Sequence, residues 1–158
     1  MFKYGLKVNL TSNVTKTSIV DIRKGIIFVT ACSNMCDYGQ PIKDLLNKYS
    51  LYDSDMIMKS ANANFATVHG TILITRVNSG LFIATSFSEY LNSFKQKQIS
   101  FDAFNKGLDF VASIEGILPK DTVYIPMKLG YAMDNKIWQI CLLFIHTYLK
   151  EVVLINGY

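Results

Sequence analysis

Long apolar runs are missing from this chain. The densest stretch, residues 137–145, is broken by Gln139 and is far shorter than the roughly 18 residues a membrane-spanning helix needs, which excludes a transmembrane protein. The first ten residues carry no apolar segment of signal-peptide length, so the expectation is a cytoplasmic protein. Arginine is scarce as well: there are two, Arg23 and Arg76, against 14 lysines spread from Lys3 to Lys150. A net charge of +4 without a basic cluster does not describe a nucleic-acid binder. It describes a solvated surface with a mild bias toward anionic ligands. The three cysteines, Cys32, Cys36 and Cys141, are an odd set and are expected as free thiols. No histidine or third cysteine stands near Cys32 and Cys36 to complete a zinc site, so neither metal nor cofactor is expected. Of the two histidines, His69 precedes a strand and His146 lies within an apolar helix, so both read as structural, and no Ser-His-Asp constellation is visible.

What the chain has in quantity is apolar matter. Half of its 158 residues are hydrophobic, 20 are aromatic and only 28 are charged, enough to cover both faces of a sheet within one domain, residues 1–158. Residues 2–9 alternate loosely as a first strand. Residues 25–31, GIIFVTA, are continuously apolar and β-branched, the pattern of a central strand buried on both faces. Pro41 suits the first turn of a helix whose apolar stripe is Ile42, Leu45, Leu46 and Tyr49. A weaker helix is expected over 51–61, and a hairpin over 71–77 and 81–85, turned by Asn78-Ser79-Gly80. Ser100 can cap a helix carrying Phe101, Phe104, Leu108 and Val111 and ending near Gly116. A short strand at 122–126, a loop at 127–135, a buried helix at 136–150 and a strand at 151–156 complete the order. Strands alternating with helices imply crossovers and a mainly parallel, mixed α/β sheet.

In such sheets ligands bind outside the carboxyl ends of the strands, where loops feed helix N-termini and backbone N–H groups meet an anion. Two loops qualify: residues 30–41, TACSNMCDYGQP, and residues 126–138, PMKLGYAMDNKIW.

Together these loops resemble the two ligand loops of the macro domain, the family that binds ADP-ribose and in many members hydrolyses bonds at its distal ribose. Ser33-Asn-Met-Cys-Asp-Tyr-Gly39-Gln-Pro-Ile42 is similar to the family's first loop, with Pro41 in place of one glycine. Leu129-Gly130-Tyr-Ala-Met-Asp134-Asn-Lys-Ile-Trp138 is similar to the second loop of the subgroup that includes the terminal ADP-ribose glycohydrolases, with Gly, Asp and Trp in register. That subgroup also has Ser in the first loop, matching Ser33. Val8-Asn9-Leu10 stands where the family reads Gly-Asp-Ile or Gly-Asp-Leu. The resemblance covers nearly the whole chain and implies a three-layer α/β/α macro-domain-like fold with a mixed sheet.

The resemblance further implies site residues. Asp134 matches the subgroup's acid/base carboxylate, with Ser33 facing it. Asn9, Leu10, Asn34, Tyr38, Gly39, Phe87, Leu129, Gly130, Tyr131, Ala132 and Met133 are the expected ligand contacts. The subgroup's catalytic lysine would fall near Phe87 or Ser88, so lysyl covalent catalysis is not expected. Asp134 can equally serve as the N-cap of the helix after it, and Phe87 and Trp138 can equally be core. The implied partner is ADP-ribose or a derivative, including an ADP-ribosylated macromolecule. Three functions follow as alternatives: a hydrolase that dephosphorylates ADP-ribose 1''-phosphate or removes ADP-ribose from an acceptor; a binding module without catalysis, consistent with Asn9, Pro41 and Ala132 replacing family residues; and a degenerate domain used for protein contacts or another nucleotide. The small single-domain build fits a viral or phage protein acting in the host cytoplasm, where it would reverse ADP-ribosylation by a host defence.

Overall fold

The computed structural model describes residues 13–33, 38–61, 64–114, 122–131 and 133–156. Seven strands among them form one sheet: β1 (Asn13–Thr15), β2 (Gly25–Cys32), β3 (Ile72–Asn78), β4 (Leu81–Leu91), β5 (Lys97–Ile99), β6 (Val123–Pro126) and β7 (Val152–Ile155). Their order is β1-β7-β6-β2-β4-β3, and β5 pairs with β4. The pairs β1·β7, β7·β6, β6·β2 and β2·β4 are parallel, while β3 and β5 run antiparallel to β4. The helices are α1 (Gln40–Lys48), α2 (Ser50–Ala61), α3 (Phe65–Val68), α4 (Phe101–Ile114) and α5 (Asn135–Tyr148).

The period-2 geometry of a strand divides β2 between two cores. Ile26 and Phe28 point into a cluster completed by Phe104, Leu108 and Val111 of α4 and Trp138, Cys141 and Ile145 of α5. Ile27, Val29 and Ala31 point into the other, with Ile42 and Leu45 of α1 and Tyr52 and Met56 of α2. Every residue of β2 is buried, as expected for a central strand of a parallel sheet covered on both faces. The result is three layers, α/β/α.

Local signals explain the boundaries. Ser100 caps α4, its hydroxyl accepting from the Ala103 N–H at 3.2 Å, and Pro41 occupies the first turn of α1. The β3–β4 hairpin turns at Asn78-Ser79-Gly80, where the Asn78 carboxamide oxygen accepts from the Gly80 N–H at 2.9 Å. Four elements differ from expectation. β4 continues six residues past Thr85 to Leu91, because Ser86, Ser88 and Glu89 are buried polar residues that end the apolar pattern without ending the ladder. β1, β5 and α3 are three, three and four residues long, too short to show a period. The strand expected at 2–9 lies outside the described residues, as does Gly116.

Among the described residues no helix is long and apolar enough to cross a membrane. Cys32 is disulfide-bonded, which corrects the expectation of three free thiols: an odd count leaves room for one bridge as readily as for none. Cys141 is free and buried.

Candidate active site

The parallel strands β2, β4 and β6 present their carboxyl ends together, and the chain between β6 and α5 is strained there. Lys128 and Leu129 both adopt left-handed backbone angles, φ 51° and 55°, and Gly130 follows at φ 83°. Left-handed conformation costs a residue with a side chain about 1–2 kcal/mol, so two in succession mark a segment held by its surroundings. What holds it is the first loop: a Cβ on Gly130 would lie 2.4 Å from Cγ of Pro41. The two loops singled out in the sequence are therefore in direct contact.

Beside this contact lies a cleft of about 500 Å³. Gln96, Lys97, Gln98 and Ile99 line it from β5 and the turn before it, Phe101 from the start of α4, and Tyr131, Met133, Asp134 and Ile137 from the second loop and the start of α5. Asp134 occupies the N-cap position of α5, yet its side chain makes no capping hydrogen bond and is exposed. The capping alternative is thus met in position and not in bonding.

Behind the cleft sits a buried carboxylate. The register of β2 against β4 shifts after Ala31, which pairs with Phe87, so that Cys32 pairs with Glu89 and Ser88 is skipped. Such a bulge re-aims the side chains that follow it. Phe87 faces the α1/α2 layer; without the shift Glu89, two residues on, would face that layer too. Instead Glu89 meets Thr30, whose hydroxyl donates to its Oε2. Lys97 brings its ammonium to 3.7 Å from the other carboxylate oxygen and lies 5.2 Å from the centre of the Tyr131 ring. Glu89 is 2% exposed. Burial pushes its carboxyl up to about 7, against the lowering effects of the Thr30 hydrogen bond and the Lys97 charge. Burial also raises the Tyr131 phenol, with the Glu89 charge adding to it, and pushes the Cys141 thiol up to about 12, so both groups stay neutral.

The chain shares this architecture with solved structures. A protein of unknown function from Bacteroides thetaiotaomicron superposes with a TM-score of 0.70 at 16% identity, over 93% of this chain and 98% of its own. A macrodomain protein from Streptomyces coelicolor gives 0.64 at 15% identity, over 92% and 97%. The macrodomain of Thermus aquaticus DarG gives 0.59 at 11% identity, over 92% and 98%. This chain has the macro-domain fold. No protein-family model matches the sequence, and no curated protein does.

Within this fold the expected site residues fall into three groups. Tyr131, Met133 and Asp134 line the cleft; Gly39 and Gly130 lie where the two loops meet, a Cβ on Gly39 falling 3.8 Å from the Gly130 carbonyl oxygen; and Leu129 is buried in the core. A second group is turned inward. Ser33 has no exposed surface; its hydroxyl donates to the Phe87 carbonyl at 3.0 Å and lies 2.7 Å from Nδ1 of His69. Phe87 and His69 thus take up the bonding positions of the hydroxyl inside the protein. Phe87 is wholly buried with Lys59 over its ring at 5.6 Å, and Tyr38 packs at the edge of the same core. The third group, Asn9, Leu10, Asn34 and Ala132, lies outside the described residues.

His69 is stacked on Phe65, ring centres 4.6 Å apart, and burial, with the Lys106 charge, pushes its imidazole below the ordinary value. A neutral histidine fixed by stacking fits the structural role expected of it. Glu89, Thr30 and Lys97 were not among the expected site residues. The signal for Glu89 was weak: one carboxylate inside a run of strand-forming residues, visible only once the strand is known to continue through it.

Proposed function

We propose that this macro domain binds ADP-ribose or a derivative of it at the carboxyl ends of β2, β4 and β6, and that Asp134 acts on the end of the ligand seated in the cleft. The observation that carries this reading is the placement of Asp134: an exposed carboxylate, free of a capping bond, on the wall of a cleft at the strand ends where ligands of α/β sheets bind. The strained segment 128–130 beside it adds support, since strain of this kind concentrates at functional sites.

In this reading Asp134 takes a proton from a water as the water oxygen bonds to C1 of the distal ribose. The bond from C1 to the acceptor breaks, and the departing group carries away the electron pair and is protonated by the proton that Asp134 has taken up. With ADP-ribose 1''-phosphate the same base directs the water to phosphorus and the ester P–O bond breaks instead. The Lys97 ammonium, on the same cleft, balances negative charge developing on the departing oxygen. Paired with a carboxylate it serves as a charge rather than as a nucleophile.

Binding without turnover is the second reading. It is favoured by the Pro41 ring against Gly130, which occupies space between the two loops that a pyrophosphate would approach. Calorimetry with ADP-ribose, followed by turnover assays on ADP-ribose 1''-phosphate and on an ADP-ribosylated acceptor, tests both. Binding with Asp134-dependent turnover supports the hydrolase, binding alone supports the reader, and no binding overturns both.

A further inference from the structure

Lys97 and Glu89 form a pair that neither the fold nor the resemblance requires. Lys97 belongs to the three-residue strand β5, yet its side chain spans from the cleft to a carboxylate buried at a strand bulge. Its ammonium lies 3.7 Å from a Glu89 carboxylate oxygen and acts on it both as a charge and as a hydrogen-bond donor. The side chain keeps 24% of its surface and lines the cleft. The Thr30 hydroxyl donates to the other carboxylate oxygen from the neighbouring strand, which gives Glu89 a second partner that carries no charge.

We propose that Lys97 is an anion-binding residue of the cleft, and that the buried Glu89 behind it sets how much of its charge is available to a ligand. This deepens the proposed function by naming the group that recognises the ligand's negative charge. With Glu89 ionised, the ammonium is drawn to the strand side, and an incoming anion also meets the Glu89 charge. With Glu89 protonated, Lys97 presents an uncompensated positive charge to the cleft. Of the groups around Glu89, Thr30 of β2 does not ionise in this range, Tyr131 and Cys141 are raised out of it, His69, which reaches Glu89 through Ser33, is pushed below its ordinary value by burial and the Lys106 charge, and on α4 Asp102 and Lys106 pair with each other at the surface at 3.5 Å. Because burial holds the Glu89 carboxyl near 7, the change falls between about pH 6 and pH 8. By linkage, a bound anion in turn favours the protonated form of Glu89.

The experiment is a titration of the full chain with ADP-ribose, whose diphosphate charge is constant in this range, at pH 6, 7 and 8, with adenosine as the uncharged control. The expected wild-type result is affinity falling about tenfold from pH 6 to pH 8, a difference of about 1.4 kcal/mol, with no such trend for adenosine. Glu89→Gln, which keeps an acceptor for Thr30, should bind at the wild-type pH 6 level throughout. Lys97→Met should bind about tenfold more weakly at pH 6 and keep only a shallow trend, while Lys97→Arg should retain the full one. Wild-type affinity that does not change with pH, or a Lys97→Met variant that binds like wild type, overturns the inference while leaving ADP-ribose binding intact. Where ADP-ribose does not bind at all, a chemical-shift titration with sulfate, also of constant charge, reads the same residue. A response at Lys97 that weakens with pH in the wild type and not in Glu89→Gln retains the inference without the ADP-ribose reading, and silence toward both anions overturns it.

Discussion

Gly130 is the point at which the two loops at the sheet's carboxyl edge lock together: a Cβ there would lie 2.4 Å from Cγ and 2.8 Å from Cδ of Pro41. The close approach and the left-handed backbone at φ 83° exclude a side chain for independent reasons, one steric and one conformational.

Gly130→Ala should therefore destabilise the fold by about 2 kcal/mol or more, combining overpacking with a disfavoured backbone. Urea unfolding measures it. Pro41→Ala removes the steric part, so the glycine substitution should cost less in that background, and equal cost in both backgrounds would show that the contact does not form.

Glu89 predicts an unusual dependence of stability on pH. Its folded value of about 7 stands above the ordinary 4.5, so between these values the folded chain keeps a proton that the unfolded chain has released. Stability then falls as pH rises through that window and levels off above it, by about 3 kcal/mol in all for this group. Glu89→Gln should flatten the curve and be more stable than wild type at pH 8, with little difference at pH 5. Unfolding midpoints at the two pH values decide it, and parallel curves would contradict the burial of an ionisable Glu89.

Asp134→Ala should leave stability within about 0.5 kcal/mol of wild type, as for an exposed residue without a structural bond, and should lower kcat by about 100-fold or more, as for loss of a general base. A large loss of stability with turnover retained would instead mark it as a cap. Unfolding and turnover measured on one preparation separate these outcomes.

Ser33→Ala removes a buried hydroxyl that engages Phe87 and His69, and should cost about 1–2 kcal/mol. Turnover should stay close to wild type, because the hydroxyl faces the protein interior. Loss of turnover at unchanged stability would return Ser33 to a direct chemical role.

Much of this fold could be read from residues alone. The unbroken apolar run of β2 announced a central strand, Ser100 and Pro41 marked helix starts, and Asn78-Ser79-Gly80 marked a hairpin. The extension of β4 escaped because Ser86, Ser88 and Glu89 are polar yet buried, and apolar periodicity registers neither. At the candidate site, the resemblance of the second loop pointed to Tyr131, Met133 and Asp134, which line the cleft. It did not point to Glu89 and Lys97, because what joins them is the bulge at Ala31/Cys32. One skipped residue changes which face every later side chain takes, and no local pattern records it. Ser33 matched the resemblance in sequence, but the hydrogen bonds that turn it inward come from His69 and Phe87, 36 and 54 residues away.

Binding of ADP-ribose or a derivative at the cleft, with Asp134 on its wall, is the proposal on which the others depend. A chemical-shift titration of the isotope-labelled chain with ADP-ribose tests it. A saturable response concentrated at Lys97, Tyr131, Met133 and Asp134 is expected; no saturable response, or one confined to residues away from the cleft, would contradict it.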